Sequence, residues 1–416
     1  MSSRTGTNSH PSSSSNAARP CRVATPKVLC GRHDEGTRHR DDVIDTVAVA
    51  PHEGRVMRAT RDVHDKGQSL WLDNITRGML DDGSIQSLID AHHVTGLTSN
   101  PSIFDNAIKT GAYDDSIAAL SRRGHSSEEI FFELALADLQ RAADLFRPVH
   151  ESTDGVDGWV SLEVSPLLAF DTDQTIAAAR EIHRRADRDN LFVKIPGTPE
   201  GLGAIEECIA AGIAINVTLL FDADQYLAAA DAYLRGVERR IRAGLNPAVA
   251  CVASLFVSRW DAAVVDQVPV ELANRLGLAV GHETYLAYRS LLASDRFLRA
   301  ASRGARVQRL LWASTKTKDP AASQTLYVQG LVAPLTINTM PDSTLRALDE
   351  LETVGAPLPV VDAGLEELFE RFAAAGVDRH ALALTLQSDG AASFSRSWGE
   401  LLSHIENLRS TTEEAT

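Results

Sequence analysis

The segment that decides the fold reads Asn190-Leu-Phe-Val-Lys-Ile-Pro-Gly-Thr-Pro-Glu-Gly-Leu-Gly-Ala204. Its apolar run predicts a buried strand that ends at a Pro-Gly turn and is followed by a helix. One lysine, Lys194, lies inside the run. Burial lowers the pKa of a lysine because it penalises the ammonium ion, and a neutral amine can form a Schiff base with a carbonyl compound. A lysine in such a run can also extend its charged end to solvent, so the segment alone leaves both interpretations open.

The same alternation of a short apolar run with a longer amphipathic stretch recurs from Ser69 onward. Eight runs are predicted as strands: residues 70–73, 96–99, 159–164, 191–195, 214–219, 248–255, 308–313 and 335–338. The helices predicted between them include residues 127–146, 172–187, 200–211 and 222–243. Eight strands, most of them followed by a helix, predict a single α/β domain with the (β/α)8 TIM-barrel fold. No glycine-rich nucleotide-binding fingerprint follows any strand, which disfavours a nucleotide-binding sheet.

Both ends of the chain extend beyond this repeating pattern. Three additional C-terminal helices are predicted over residues 342–353, 362–375 and 379–409, either outside the barrel or across its mouth. Residues 1–60 lack apolar periodicity, and the first 32 residues contain no Asp or Glu, so we expect a disordered tail. A misassigned start upstream of Met57 or an organelle transit peptide would also explain this composition. The barrel with its C-terminal helices is therefore predicted over residues 67–408.

Composition limits the classes of partner. The chain of 416 residues is 44% hydrophobic and 23% charged, with a formal net charge of -15. This charge argues against nucleic acid as a partner, and no apolar run is long enough to span a bilayer. Four cysteines without a Cys-x-x-Cys pair indicate neither a disulfide framework nor structural zinc, so we expect a cytoplasmic protein. The oligomeric state stays open between a monomer and a homodimer.

Polar residues concentrate at the predicted strand ends, where TIM barrels hold their active sites. The first six strands contribute Asp73, Thr98, Asn100, Glu163, Lys194, Asn216, Thr218, Ser254 and Arg259 at or just after their ends. Each residue alone has a structural explanation, such as a helix cap or a satisfied core amide. So many polar groups at one end are harder to explain by packing, because barrel interiors favour branched apolar side chains.

A lysine with two carboxyl groups suits imine chemistry on a sugar. One acid must protonate the departing carbinolamine hydroxyl, and one base must take a proton from a substrate hydroxyl as a carbon–carbon bond breaks. Asn and Thr side chains can bind the hydroxyls of a polyol. No metal ion and no organic cofactor is expected, because the protonated imine itself accepts the electron pair.

Two long motifs, in the order and at the spacing of the family, resemble those of the transaldolases, in particular the longer actinobacterial type. Gly96-Leu-Thr-Ser-Asn-Pro-Ser-Ile-Phe104 is similar to the first signature of that family, and Val193-Lys-Ile-Pro-Gly-Thr-Pro-Glu-Gly-Leu202 is similar to its Schiff-base signature. The resemblance covers about residues 67–408. It implies a TIM barrel that transfers a dihydroxyacetone unit from sedoheptulose 7-phosphate to glyceraldehyde 3-phosphate, in the pentose phosphate pathway.

The resemblance also implies a role for each matching residue. Lys194 would form the Schiff base, and Asp73 would be the acid/base of carbon–carbon cleavage. Glu163 would act through a water held with Thr218. The dihydroxyacetone part would be bound by Asn100 and Asn216, with Thr98 and Ser254 beside them.

The implied phosphate site is less regular. Arg259, in Ser254-Leu-Phe-Val-Ser-Arg259, resembles the phosphate-binding arginine of the family. After the seventh strand, Ala313-Ser-Thr-Lys-Thr-Lys-Asp-Pro320 resembles a segment that reads roughly Ala-Ser-Thr-Gly-x-Lys-Asn-Pro in relatives. Lys318 matches the usual lysine and is the second phosphate candidate. Lys316 replaces a common glycine, and could bind phosphate or face solvent.

Two alternatives accompany this hypothesis. A fructose-6-phosphate aldolase, which resembles transaldolase but releases free dihydroxyacetone, tends to carry Gln at the position of Glu163 and Tyr at that of Phe256. The Glu and Phe of this chain favour transfer. A barrel that binds a sugar phosphate without catalysis would not need Asp73, Glu163 and Lys194 together.

Overall fold

The computed structural model describes residues 58–414, in which eight parallel strands close into one barrel. The strands are β1 (Gln68–Asp73), β2 (Val94–Thr98), β3 (Trp159–Glu163), β4 (Leu191–Pro196), β5 (Ile215–Leu220), β6 (Cys251–Phe256), β7 (Gln308–Ala313) and β8 (Thr336–Met340). Each strand pairs with the next one in the chain, and β8 returns to pair with β1. The predicted (β/α)8 fold is confirmed, and every predicted strand overlaps an observed one.

Helices surround the barrel and follow most of its strands. They are α1 (Ala59–Asp65), α2 (Arg77–Asp81), α3 (Ser84–His92), α4 (Pro101–Ile108), α5 (Asp114–Ser121), α6 (Ser127–Ser152), α7 (Thr172–Ala186), α8 (Pro199–Ala211), α9 (Ala223–Arg242), α10 (Ser258–Val264), α11 (Leu276–Leu292), α12 (Asp295–Ala301), α13 (Leu326–Gly330), α14 (Asp342–Asp349), α15 (Leu365–Ala374) and α16 (Arg379–Glu414). The loops after β3 and α10 also contain short 3-10 turns, Pro166–Leu168 and Val270–Leu272. Within residues 58–414, no helix combines the length and the apolar character needed to cross a membrane.

Large apolar side chains fill the lower part of the barrel interior. Trp71, Trp159 and Phe192 come from three strands, and the rings of Trp159 and Phe192 stack with their centroids 4.0 Å apart. Gly96 on β2 makes room for Trp71, because a Cβ atom at that position would lie 2.6 Å from the indole. Side chains alternate across a strand, so the residues two and four positions further along the same strands point inward as well. The filled lower layer therefore leaves the C-terminal end for polar groups.

An ion pair lies at the opposite, N-terminal end of the barrel. The guanidinium of Arg309 lies 3.1 Å from the carboxylate of Asp157 and also donates to the Ser69 hydroxyl. Asp157 accepts further hydrogen bonds from Ser69 Oγ and Trp71 Nε1. Because both charges are satisfied within the protein, this network fixes β1, β7 and the loop before β3 to one another.

The last helix, α16, runs from the barrel mouth along the outer helices. Near its beginning, the side chain of Gln387 donates to backbone carbonyls at the ends of β4 and β5. Further along, His404 lies 2.5 Å from the Asp105 carboxylate on α4. Of the two placements predicted for the C-terminal helices, α16 thus adopts both, over different parts of its length.

At the N-terminal end of the domain, the structure differs from the sequence prediction. Helix α1 was not predicted, although Ala59 and Val63 are fully buried by packing on the barrel. The disordered tail, predicted for residues 1–60, otherwise lies outside the described residues. A capping box formed by Ser126 and Glu129 begins α6, and the Asp222 side chain caps α9.

Candidate active site

Lys194 lies at the centre of the C-terminal end of the barrel. It is on β4, opposite Glu163 of β3 and Asn216 of β5 in the strand register, and only 7% of its side chain is exposed. Its Nζ donates to the carbonyl oxygen of Ser99, 2.8 Å away, and lies 3.8 Å from Glu163 Oε2. The amine is therefore held inside the barrel, and the interpretation in which Lys194 extends to solvent is wrong.

Glu163 is a buried carboxyl group without hydrogen bonds. Neither of its oxygens has a hydrogen-bond partner among the described residues, and burial raises its pKa to about 7. Lys194 lowers this pKa and Asp73 raises it, so the three groups interact electrostatically. The hydroxyl of Thr218, two strands away on β5, is also buried without a partner. These groups keep hydrogen-bonding capacity for a ligand or water.

Asp73 is the second carboxyl group of the site. Its Oδ1 accepts a hydrogen bond of 2.8 Å from Thr98 Oγ1, which lies 2.6 Å from Thr339 Oγ1. Since a hydroxyl has one hydrogen, Thr339 is then the donor to Thr98. Burial raises the pKa of Asp73, and Lys194, Thr98 and Lys318 oppose this change. Asp73 is therefore a buried carboxyl group within electrostatic reach of Lys194.

Polar side chains on β3, β5 and β6 form a chain of hydrogen bonds beside the lysine. Ser254 Oγ donates to Asn216 Oδ1 at 2.7 Å, and Asn216 Nδ2 donates to Ser161 Oγ at 3.3 Å. All three residues are buried. Asn100, on the loop after β2, caps α4, since its Oδ1 accepts from Ile103 N and Ser102 Oγ. Its amide nitrogen remains available for a ligand.

Three cations lie together at the rim. Arg259, at the start of α10, has its guanidinium 5.3 Å from the Phe256 ring, and burial lowers its pKa. Partial burial, Arg259 and Lys316 all lower the pKa of Lys318, so the three positive charges repel one another. No hydrogen bond or ion pair joins these three side chains to a carboxylate among residues 58–414. Asp389 and Asp73 offset part of this positive charge from a distance, and a cluster of cations without ion-pair partners can bind a phosphate group.

The structure brings the predicted residues to one end of the barrel. Asp73, Glu163 and Thr218 lie at the same end as Lys194, and the amide and hydroxyl groups of Thr98, Asn216 and Ser254 line the same interior. Phe256, Arg259 and Lys318 form the rim. Their individual roles remain predictions.

Sequence reasoning missed four contributors. Ser161 precedes Glu163 by two residues and shares its inward face, so strand alternation could have identified it. Thr339 lies one residue beyond the predicted end of β8. The carbonyl of Ser99 carries no side-chain signal, and Gln387 comes from a distant helix whose placement no local pattern indicates.

Comparison with known proteins agrees with this geometry. The family model described as transaldolase/fructose-6-phosphate aldolase matches residues 70–405. The chain belongs to the transaldolase/fructose-6-phosphate aldolase family. It is similar to a transaldolase of Saccharopolyspora erythraea, with 42% identity over 82% of this chain and 95% of the relative. A transaldolase of Thiobacillus denitrificans is 43% identical over 84% of this chain and its own full length.

Membership of the transaldolase/fructose-6-phosphate aldolase family confirms the resemblance that the two motifs indicated. The transaldolase of Mycolicibacterium smegmatis is 42% identical over 81% of this chain. The matched region contains every predicted site residue, from Asp73 to Lys318. The family is thus established over the whole barrel and most of α16.

Proposed function

We propose that this chain is a transaldolase, which transfers a dihydroxyacetone unit from sedoheptulose 7-phosphate to glyceraldehyde 3-phosphate. The observation that supports this most is the buried amine of Lys194, 3.8 Å from a carboxylate of Glu163 that has no hydrogen-bond partner. Asp73 supplies a second carboxyl group whose pKa responds to Lys194. A nucleophilic amine and two proton-transfer groups are what a Schiff-base mechanism needs.

The reaction begins with imine formation. The neutral amine of Lys194 adds to the ketone carbon of sedoheptulose 7-phosphate, and the resulting carbinolamine loses its hydroxyl as water. Glu163 supplies the proton for this departure, through a water held with Thr218. Its pKa of about 7 suits the task, because a group near neutrality can both give and take a proton.

Cleavage and transfer follow. Asp73 takes the proton of the hydroxyl on C4, the bond between C3 and C4 breaks, and its electron pair moves into the iminium ion to give an enamine. Erythrose 4-phosphate leaves as the aldehyde. The enamine carbon then attacks the aldehyde carbon of glyceraldehyde 3-phosphate, Asp73 returns the proton to the new hydroxyl, and hydrolysis of the imine releases fructose 6-phosphate.

The remaining site residues bind and shield the substrate. Asn100, Asn216, Thr98 and Ser254 offer amide and hydroxyl groups to the dihydroxyacetone part, and Arg259 with Lys318 binds the phosphate. Phe256 is 7% exposed and lies 5.5 Å from the ring of Phe221. An apolar ring here limits access of water to the enamine, which favours transfer over release of free dihydroxyacetone.

The test is borohydride trapping with fructose 6-phosphate, followed by peptide mass mapping. A dihydroxyacetone-derived adduct on Lys194 is expected, together with transfer to glyceraldehyde 3-phosphate. Free dihydroxyacetone in place of transfer would make the protein a fructose-6-phosphate aldolase. No adduct on any lysine of the folded protein would leave only sugar-phosphate binding.

A matched pair of variants locates the reacting lysine. Lys194→Ala is expected to lose both the adduct and turnover, because among residues 58–414 Lys194 is the lysine that pairs with Glu163. Lys109→Ala is the control, since Lys109, directly after α4, pairs with Asp105 away from the site. Substantial transfer by purified Lys194→Ala protein would contradict the Schiff-base assignment.

The proposal extends to the protein as a whole. The catalytic unit spans residues 67–408, needs no metal ion or organic cofactor, acts in the cytoplasm as a monomer or homodimer, and has no nucleic-acid partner. Analytical ultracentrifugation would measure the oligomeric state directly.

A further inference from the structure

Gln387 on α16 connects the last helix to the active-site end of the barrel. Its side chain is almost fully buried, with 8% of the residue exposed. The amide nitrogen, Nε2, donates to the carbonyl oxygens of Gly197 at 3.0 Å and Leu219 at 2.9 Å. A side-chain amide has two hydrogens, so both donors of Gln387 are used.

The two accepting carbonyls belong to the loops that carry the proposed chemistry. Gly197 is three residues after Lys194, and Leu219 directly follows Thr218. The backbone N–H of Gly197 in turn donates to the carbonyl of Thr218 at 2.7 Å. Gln387, the loop after β4 and the end of β5 are thereby joined in one closed ring of hydrogen bonds.

This ring includes a strained residue. Leu219 has a φ of +58°, in the left-handed region that residues other than glycine rarely adopt. The pairing of β5 with β6 shifts register between Val217 and Leu220, so Thr218 and Leu219 form an irregularity in the strand. Such a conformation persists only where its surroundings fix it, and bulges redirect neighbouring side chains.

The helix approaches this irregularity closely. A Cβ atom on Gly390, one turn after Gln387, would lie 2.9 Å from Leu219 Cδ2. Phe394, a further turn along, has its ring 6.3 Å from that of Phe256. The part of α16 from Gln387 to Phe394 therefore packs on the end of β5 and on Phe256 at the rim, and Gln387 makes the polar part of this contact.

We propose that Gln387 is a positioning residue for imine formation, which holds the end of β5 and with it the buried Thr218 hydroxyl. The inference rests on the proposed function, since it assigns Gln387 a role in the first step of that reaction. Without the amide, two buried carbonyls lose their donors and Leu219 can relax toward an ordinary strand conformation. Thr218 then moves out of line with the amine, whereas Asp73, on the other side of the barrel, keeps its place.

The experiment compares Gln387→Met, which keeps the shape of the side chain but has no donor, with the wild-type protein. Adduct formation at Lys194 is followed by borohydride quenching at short times with fructose 6-phosphate. We expect imine formation to slow by about tenfold to a hundredfold, the range for a misplaced catalytic group, while KM changes by less than about threefold. Unchanged imine formation would overturn the proposal.

A control variant separates positioning from general loosening of α16. His404→Ala removes the contact of the same helix with Asp105 on α4, away from the barrel mouth. It is expected to lower the melting temperature without changing the rate of imine formation. If His404→Ala slows that step as much as Gln387→Met does, Gln387 acts only through helix docking and the positioning role is wrong.

Gln387→Glu provides a second readout if the methionine variant does not fold. A protonated carboxyl keeps one donor, whereas a carboxylate has none and repels both carbonyls. The rate relative to that of wild-type protein at the same pH should therefore rise as the pH falls. A ratio independent of pH would contradict the proposal. Absence of trapping in wild-type protein would instead reject the proposed function itself.

Discussion

At the scale of a single residue, Glu163 is unfavourable for the stability of the fold but suited to proton exchange. Its buried carboxyl group has no hydrogen-bond donor among the described residues, which is a costly arrangement for a folded protein. The same isolation raises its pKa to about 7 and keeps the group able to exchange protons near neutral pH. Sites that violate packing rules in this way are commonly functional.

The raised pKa of Glu163 predicts a pH-dependent stability. The unfolded carboxyl has a pKa near 4.5 and the folded one about 7, so the folded state binds the proton more tightly. The stabilisation that this carboxyl group contributes is fully present below about pH 4.5. It is lost as the pH rises through 7, and the total loss is roughly 3 kcal/mol at most. The glutamine side chain of the Glu163→Gln variant cannot lose a proton. The melting temperature of this variant should therefore increase relative to that of wild-type protein between pH 5 and pH 8.

Thermal unfolding of both proteins across this pH range checks the prediction. The difference in melting temperature should be smallest at pH 5 and reach a plateau above pH 8. A difference that stays constant with pH would mean that Glu163 is ionised throughout, and that the burial of its carboxyl group does not raise its pKa.

Arg259 predicts a selective loss of affinity. Its guanidinium has no ion-pair partner among residues 58–414, so it is free to bind a phosphate. Hydrogen bonds to charged groups contribute about 1.5–3 kcal/mol, so Arg259→Ala should raise KM for fructose 6-phosphate by about tenfold to a hundredfold. The same variant acting on unphosphorylated fructose is the control, and its kcat/KM should change little. An unchanged KM for the phosphorylated sugar would remove Arg259 from the phosphate site.

At the scale of elements, the packing of β1 against β2 requires a small residue, Gly96, beside the large side chain of Trp71. Gly96→Ala would place a methyl group 2.6 Å from the Trp71 indole inside the barrel. Overpacking of this kind costs about 1–3 kcal/mol. Denaturant unfolding should show that loss of unfolding free energy.

Gly399 on α16 is a matched control for Gly96. No heavy atom lies within 4 Å of the Cβ position there, and the residue is exposed on a helix. Gly399→Ala should stabilise the protein by about 0.5–1 kcal/mol, because alanine has the higher helix propensity. If both alanine variants change stability equally, the Trp71 contact does not limit the barrel interior.

The elements themselves follow largely from sequence pattern. Strands such as β4 and β6 are short, apolar and bounded by turns, because both of their faces are buried, and they are recognised on that account. Helix α1 was missed because it has only two turns and its burial comes from tertiary contacts. The boundaries of α16 were predicted well, but its contact with β5 was not, since helix packing depends on surfaces far apart in sequence.

The same limit applies to the site. Lys194, Glu163 and Asp73 stand out as charged residues within apolar strands, so a single sequence identifies them. Ser99 acts through its backbone carbonyl, and Gln387 is an ordinary polar residue on an amphipathic helix. Neither contribution can be recognised from residue type or spacing, because both depend on contacts that form only in the folded barrel.

At the scale of the whole molecule, the eight strands that close the barrel all lie within residues 58–414. Relatives align over 81–86% of this chain, and the family model begins at residue 70. Deletion of residues 1–56 should therefore leave transfer activity and the melting temperature unchanged. Deletion of residues 1–66, which also removes α1 and its buried Ala59 and Val63, should lower the melting temperature. Loss of folding in the shorter deletion would show that the upstream segment is structural.

The position of Gln387 in the final helix also has a consequence for how the protein is made. A ribosome completes β1 to β8, and with them Lys194, Glu163 and Asp73, before α16 is translated. A premature stop codon between β8 and α16 would therefore spare all eight strands and the reacting lysine but remove the helix that bonds the loops after β4 and β5. Nonsense mutations late in the reading frame should thus be as damaging as those within the barrel.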